Sequence, residues 1–265
     1  MSVHTVIMPI TGFGTWKLDN TPSTTTIILD AIDVGYRHFD TAAFYQNECA
    51  IGEALKQRSI ARDELFITSK VPSHIKSPEE TREIFFKSLR DLGLDTLDLY
   101  LIHGPAPKDE RHHSERYNEG NVAVWKTLET LYEEGFVRAI GVSNFSLADL
   151  ENIRAHAKIL PMVHQVPFYA GLNQEALLDD AKRHNMIIQA YSPLAKGGLI
   201  SHPVVEELAQ KYRKTPAQIL LQYCRDMGTV PLPKTRSKAR MIENLETLHA
   251  LTQEDIKRLS ELTHP

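Results

Sequence analysis

The sequence predicts a single-domain α/β fold, a (β/α)8 barrel of the TIM type spanning residues 1–265. Three observations predict it. Short, near-continuous apolar segments alternate with stretches of helical period along the whole chain. The length, 265 residues, suits the about 250 that eight strand–helix units need. Polar groups stand at nearly every strand exit, the end where such a barrel gathers its functional side chains.

The strand segments are residues 37–41, 65–70, 97–103, 137–143, 162–167, 186–191 and 229–234, with 10–15 as a weaker eighth. They are apolar and β-branched rather than alternating, as in strands buried on both faces. Between them, residues 24–34 repeat Ile27, Ile28, Ala31 and Val34 at helical spacing. Residues 77–92 open with Ser77-Pro78-Glu79-Glu80, which sets Pro in the first turn and acids at the positive dipole end. Residues 122–134 carry Val122, Val124, Leu128 and Leu131, and Gly135 marks their end. Residues 146–156, 174–184 and 203–213 follow, then a helix capped by Thr215 and another after Thr252. Strand–helix alternation implies parallel pairing through right-handed crossovers. Eight strands in one domain-sized chain favour a closed barrel over an open doubly wound sheet. The stretch 104–121 has no clear period and is expected to wall the substrate side as an irregular loop. Its Arg111-His112-His113 run lacks a third ligand at metal spacing and reads as solvated; no metal is expected.

Composition excludes several classes. The formal net charge is −4 and the basic residues are dispersed, so no nucleic-acid surface is expected. No apolar run approaches the roughly 18 residues of a membrane span, and residues 1–10 do not read as a secretory leader. A cytoplasmic protein follows. Cys49 and Cys224 are far apart and are expected to be reduced and partly buried.

The strand exits read Thr15, Asp40, Lys70, His103, Ser143-Asn144, Gln165, Tyr191-Ser192 and Lys234. Tyr45 stands five residues after Asp40. Singly, Asp40 and Lys70 fit a structural ion pair, Tyr45 an interfacial aromatic and His103 a satisfied core histidine. Together at successive exits they point to chemistry. A phenol with a pKa of about 10 is a weak acid. Lys70 beside it is expected to lower that pKa, Asp40 to hold the lysine, and His103 to hydrogen-bond a carbonyl oxygen. Such a pocket needs a hydride source that no side chain provides.

These segments resemble the aldo-keto reductases over nearly the whole chain. The resemblance is carried by Gly12-Phe13-Gly14-Thr15-Trp16, residues 35–42 (GYRHFDTA), 67–70 (ITSK), 101–103 (LIH), 139–145 (AIGVSNF) and 191–194 (YSPL), and by Pro233-Lys234 with Arg240, Glu243 and Asn244. It implies NADPH-dependent reduction of aldehydes or ketones, small aldehydes, α-dicarbonyls and keto-sugars among them, by a monomer. Tyr45 would be the general acid, tuned by Lys70 and Asp40, with His103 orienting the carbonyl. Ser143, Asn144 and Gln165 would hold the nicotinamide carboxamide, Tyr191 its ring, and Ser192 and Leu194 the pyrophosphate. Lys234 and Thr235 would meet the adenosine phosphates, Arg240 the 2′-phosphate, and Glu243 and Asn244 the adenine end. Thr15 and Trp16 would border nicotinamide and substrate, with Phe44 as a further apolar wall. NADPH is favoured over NADH, with dual use allowed. Gly12-Phe13-Gly14 lacks the third glycine of a doubly wound dinucleotide fingerprint.

The chain departs from the resemblance at Gly104, where many relatives have Trp, and after Gln165. Its short N-terminus and C-terminus imply a reduced bottom hairpin and an open mouth. Two other readings stand beside the enzyme: an NADPH-binding sensor on the same fold with little turnover, and a barrel isomerase of phosphorylated sugars.

Overall fold

The computed structural model describes residues 6–246 and 249–263. Eight strands, β1 (Phe13–Gly14), β2 (His38–Asp40), β3 (Phe66–Val71), β4 (Leu99–Ile102), β5 (Ile140–Ser143), β6 (Val163–Pro167), β7 (Ile187–Tyr191) and β8 (Thr229–Leu232), pair in sequence order, every pair parallel. The Gly12 amide donates to the Pro231 carbonyl and the Gly14 amide to the Pro233 carbonyl, both at 3.0 Å. These bonds run between the first and last strand segments and close the barrel. A Cβ on Gly12 would meet Leu232 Cδ2 at 2.5 Å and His38 Nδ1 at 2.8 Å. The glycine pair thus serves the barrel seam, where backbone and core side chains leave no space.

The helices are α1 (Pro22–Val34), α2 (Glu48–Arg58), α3 (Pro78–Leu92), α4 (Asn118–Glu133), α5 (Leu147–His156), α6 (Glu175–Arg183), α7 (Pro203–Tyr212), α8 (Pro216–Asp226), α9 (Lys238–Leu245) and α10 (Gln253–Ser260). Their starts follow local chemistry. The Ser77 hydroxyl accepts from the Glu80 amide with Pro78 next to it. Thr215 and Gln218 form a reciprocal capping box, as do Ser146 and Asp149. Residues of β2–β6 pack with α1–α5 in the main core, and a second cluster joins Leu208, Leu220 and Leu259 of α7, α8 and α10.

The structure departs from the sequence expectation in three places, at α2, at 104–121 and at the two thiols. Helix α2 has no counterpart in the apolar periodicity, because Gly52 interrupts it. The glycine is there for contact: a Cβ would meet the Asp91 carbonyl oxygen at 2.5 Å, so α2 and α3 pack backbone to backbone. The stretch 104–121 is not irregular, since a 3-10 segment runs over Lys108–Tyr117 and α4 begins at Asn118. The two thiols are not alike; Cys49 is exposed and Cys224 buried. Residues 6–9 form no strand, while the rest of the expected N-terminal reduction falls on residues outside those described. Among the described residues no helix is long and apolar enough to cross a membrane, and no three His, Cys, Asp or Glu gather as for a metal.

Candidate active site

Strand alternation sets the floor of the site. Asp40 ends β2, in register with Gly14 and Thr68. On β3, Ser69 turns outward and donates to the Glu48 carboxylate of α2 at 2.6 Å. Lys70 therefore turns inward, where it is fully buried. Its ammonium donates to Asp40 Oδ1 at 2.8 Å and to the Thr41 carbonyl at 2.7 Å. The second Asp40 oxygen accepts from Gln165 Nε2 at 2.7 Å, and the same amide donates to Gln189 Oε1 at 2.8 Å. One polar network thus crosses the barrel from β2 and β3 to β6 and β7. The Thr15 hydroxyl, also buried, donates to the Asp40 carbonyl at 2.9 Å.

Above this floor lies an aromatic group. A 3-10 turn, Ala43–Tyr45, follows β2 directly and carries Phe44 and Tyr45. Lys70 Nζ is 5.1 Å from the Tyr45 ring centre, and the His103 ring is 5.5 Å from it, edge-on at 73°. The Trp16 ring is 4.8 Å from Tyr45 and stacks on Phe44 at 6.1 Å. Trp16 is 48% and Phe44 57% exposed, an open apolar wall beside the polar centre, which suits a ligand-binding surface. Asn47, which sequence reasoning passes over, joins these pieces. It is buried, accepts from the Thr41 hydroxyl at 2.8 Å, and donates to the Thr15 and Leu18 carbonyls at 3.0 and 2.9 Å. It thereby fixes the Trp16 loop against the Tyr45 turn. Its sequence carries no signal of this beyond a polar residue before a helix.

The electrostatics correct one expectation. The Tyr45 phenol is not brought below its ordinary value despite the Lys70 ammonium beside it. Burial pushes its pKa well above 10, and the Asp40 carboxylate and Tyr191 push it further. Lys70 is itself pulled down by burial and held up by Asp40; its charge is largely spent on that partner. Burial and the nearby cations Lys70 and Arg111 push the His103 imidazole down to about 3. At neutral pH the centre therefore holds a neutral phenol and a neutral imidazole over a buried ion pair.

The opposite side of the mouth is formed by the exits of β5 to β8. Asn144 Nδ2 donates to the His103 carbonyl at 2.8 Å and to Ser143 Oγ at 2.9 Å, and the Tyr191 hydroxyl donates to Asn144 Oδ1 at 2.7 Å. Asn144 and Ser192 adopt φ of 63° and 54°, a conformation costly for serine that concentrates at functional sites. Leu194 packs on the second core cluster. After β8, burial and the like charges of Arg236 and Lys17 lower Lys234. Thr235 is buried and its hydroxyl caps the Ser237 amide at 3.1 Å. Ser237 caps α9, whose first turn exposes Arg240. Among the described residues no carboxylate pairs with Lys17, Lys234 or Arg240. Lys238 at the start of α9 is taken by Asp30 at 2.8 Å and Arg236 lies 4.0 Å from Asp19, while Lys17, Lys234 and Arg240, left without a carboxylate, fit a phosphate-rich ligand. Glu243 is partly committed elsewhere, accepting from the Thr215 hydroxyl, and Asn244 is buried with its carbonyl accepting from Arg225 at 3.0 Å.

A family model described as Aldo/keto reductase family matches residues 11–264. The chain belongs to the aldo/keto reductase family. It is 41% identical to the glyoxal reductase of Bacillus subtilis (strain 168) over 97% of this chain and 90% of that protein. It is 37% identical to the methylglyoxal reductase DkgA of Yersinia pestis over 97% of this chain and 89% of that protein. Among solved structures, MGS-M4, an aldo-keto reductase enzyme from a Medee basin deep-sea metagenome library, superposes with a TM-score of 0.89 at 35% identity, covering 97% of this chain and 93% of that one. Membership in the aldo/keto reductase family and these reductase relatives support an oxidoreductase that reduces carbonyls. The strands and strand exits that supply Asp40, Lys70, His103, Ser143, Gln165 and Tyr191 are thus those of an aldo/keto reductase barrel, and Arg111, like Asn47, is a group near this mouth that the sequence motifs do not mention.

Proposed function

We propose that this protein reduces aldehyde or ketone carbonyls to alcohols with NADPH, Tyr45 donating the proton. The observation that carries the reading is the Tyr45 ring set edge-on to His103 at 5.5 Å with Lys70 Nζ 5.1 Å from its centre, over the buried Lys70–Asp40 pair at 2.8 Å. The balance is carbonyl + NADPH + H⁺ → alcohol + NADP⁺. NADPH, when bound, supplies the hydride that no side chain can.

The chain's own residues do the rest. His103, neutral, donates a hydrogen bond to the carbonyl oxygen and turns it toward Tyr45. As negative charge develops on that oxygen, the phenol proton moves to it. A phenol held far above 10 keeps its proton at every working pH, and the phenolate left behind is stabilised by the Lys70 ammonium beside its ring. Asp40 is the positioning residue for Lys70. Trp16 and Phe44 wall the substrate and exclude water. Ser143, Asn144 and Gln165 hold the carboxamide of the cofactor, Tyr191 its ring, Ser192 and Leu194 the pyrophosphate. Lys234, Thr235 and Arg240 take the adenosine phosphates, with Glu243 and Asn244 toward adenine and Thr15 lining the floor. Arg240, which no carboxylate among the described residues pairs with, supports NADPH over NADH, because a guanidinium recognises a monoester phosphate bidentately.

The test is NADPH and NADH oxidation measured over methylglyoxal, aromatic aldehydes and keto-sugars. Turnover of at least one carbonyl class, with a higher kcat/KM for NADPH than for NADH, is expected. Tight NADPH binding without turnover of any carbonyl would overturn the reading.

A further inference from the structure

The 3-10 segment Lys108–Tyr117 reaches back to the mouth through one side chain. A Cβ on Gly104, the residue after His103, would meet Arg111 Nη2 at 3.1 Å and its Nε at 3.4 Å. The Arg111 guanidinium therefore lies in space that a side chain at position 104 would fill. Its charge acts on His103, and its guanidinium hydrogen-bonds the Tyr191 side chain as well as acting on it by charge, which leaves Nε over. The expectation that the Arg111-His112-His113 run is solvated holds only in part: His112 is exposed, but Arg111 Nε is buried and has no hydrogen-bond partner. Among the described residues Arg111 forms no ion pair. Its chain neighbour Glu110 is taken by the Tyr117 hydroxyl at 2.7 Å.

This arrangement is costly unless a ligand completes it. A partly desolvated guanidinium with an unused N–H loses hydration without recovering it. Lys70 and Asp40 cancel one another, so Arg111 is the uncompensated charge on the His103 side of the mouth. A planar fork of donors beside the carbonyl-orienting histidine matches a carboxylate on, or one carbon from, the reacting carbonyl.

We propose that Arg111 is a specificity-determining residue that holds the carboxylate of an anionic carbonyl substrate, a short 2-oxo or aldehyde acid. The proposal rests on the reductase reading of the same site. With glyoxylate, the smallest such acid, the cofactor hydride forms the new C–H bond. The carbonyl π bond breaks, the oxygen takes the Tyr45 proton, and NADPH leaves as NADP⁺. The carboxylate stays ionised on Arg111 throughout.

Glyoxylate and methylglyoxal make the test, because they share an aldehyde and nearly a shape but differ in charge. The ratio of kcat/KM for glyoxylate to that for methylglyoxal is measured in the wild type, Arg111→Leu and Arg111→Lys. The ratio is expected to fall at least about tenfold in Arg111→Leu, the size of a charged hydrogen bond, through the KM for glyoxylate. Arg111→Lys should lie between. Gly104→Val, which fills the space of the guanidinium without altering it, should move the ratio the same way and serves if Arg111→Leu does not fold. A second readout needs no turnover: oxamate, a non-reducible glyoxylate analogue, should quench Trp16 fluorescence in the NADP⁺-loaded wild type and not in Arg111→Leu. An unchanged ratio in the folded variants, or no oxamate binding by the wild type, overturns the proposal while reduction of methylglyoxal leaves the reductase reading standing. Oxamate binding that depends on Arg111, with no carbonyl reduced, supports the anion site and overturns the reductase reading.

Discussion

Two buried carboxylates sit at opposite ends of the barrel. At the N-terminal end of the strands, Asp98 forms an ion pair with Arg62 at 2.7 Å and accepts from Arg138 at 2.9 Å and the Ile67 amide at 2.8 Å. At the C-terminal end, Asp40 accepts from Lys70 at 2.8 Å and Gln165 at 2.7 Å. Both are buried and fully hydrogen-bonded. They differ in company. The arginines around Asp98 reach solvent and never lose their protons. Lys70 is sealed beneath a phenol and an imidazole that face the mouth. A buried ion pair is thus a structural brace at one end and a foundation for proton transfer at the other. The neighbours, not the pair, carry the chemistry.

That contrast can be broken by removing one partner at each end. Lys70→Met is expected to lower kcat by about 10³-fold, the size of general-acid assistance, and to cost stability by leaving Asp40 unpaired. Steady-state NADPH oxidation and a thermal melt measure the two effects. Asp98→Ala is expected to cost about 3 kcal/mol, read as a loss of roughly 6–12 °C in Tm, with kcat/KM within about twofold of the wild type. If Asp98→Ala lost activity as Lys70→Met does, the division between the two ends would fail.

A third carboxylate sharpens the structural side. Burial alone would raise Asp255, but hydrogen bonds from Lys211, Tyr212 and Thr252 outweigh it and hold the carboxyl at about 2, below its ordinary 3.8. A folded pKa below the unfolded one adds stability above about pH 4 that is lost as pH falls toward 2. About 2 kcal/mol is expected in that window. Urea melts of wild type and Asp255→Asn between pH 5 and 2 should converge as the pH falls; parallel curves would refute the assignment. The mildest expected effect concerns activity. With His103 neutral down to about 3 and Tyr45 protonated beyond 10, kcat for reduction should vary by less than about twofold between pH 5 and 9. A bell centred near neutrality would mean that one of these groups titrates there.

The fold was legible because parallel strands buried on both faces leave unbroken apolar runs; β3, β4, β6 and β7 each lie within a residue or two of the expected bounds, and β5 starts three residues later than expected. Helix α2 was not, since Gly52 answers to the α3 backbone rather than to a helical face. Asp40, Tyr45, Lys70 and His103 were legible because strand exits share one end of the barrel. What sequence order could not convey was contact across it. Gln165 and Asp40 are 125 residues apart, and nothing in an aperiodic loop says where the Arg111 guanidinium goes. The direction of the Tyr45 shift was missed for a related reason. Sequence names the charges near a phenol but not its loss of water, and here burial outweighs Lys70.

The central claim is that Tyr45 gives the proton. Tyr45→Phe removes one oxygen from a ring that Trp16 and His103 hold in place, so folding and cofactor binding should persist. Its kcat should be measured with the best carbonyl found in the substrate panel, beside NADPH binding by fluorescence titration. The account predicts a fall of about 10³-fold in kcat with an unchanged Kd for NADPH. A variant that binds NADPH normally and turns over at the wild-type rate would contradict it.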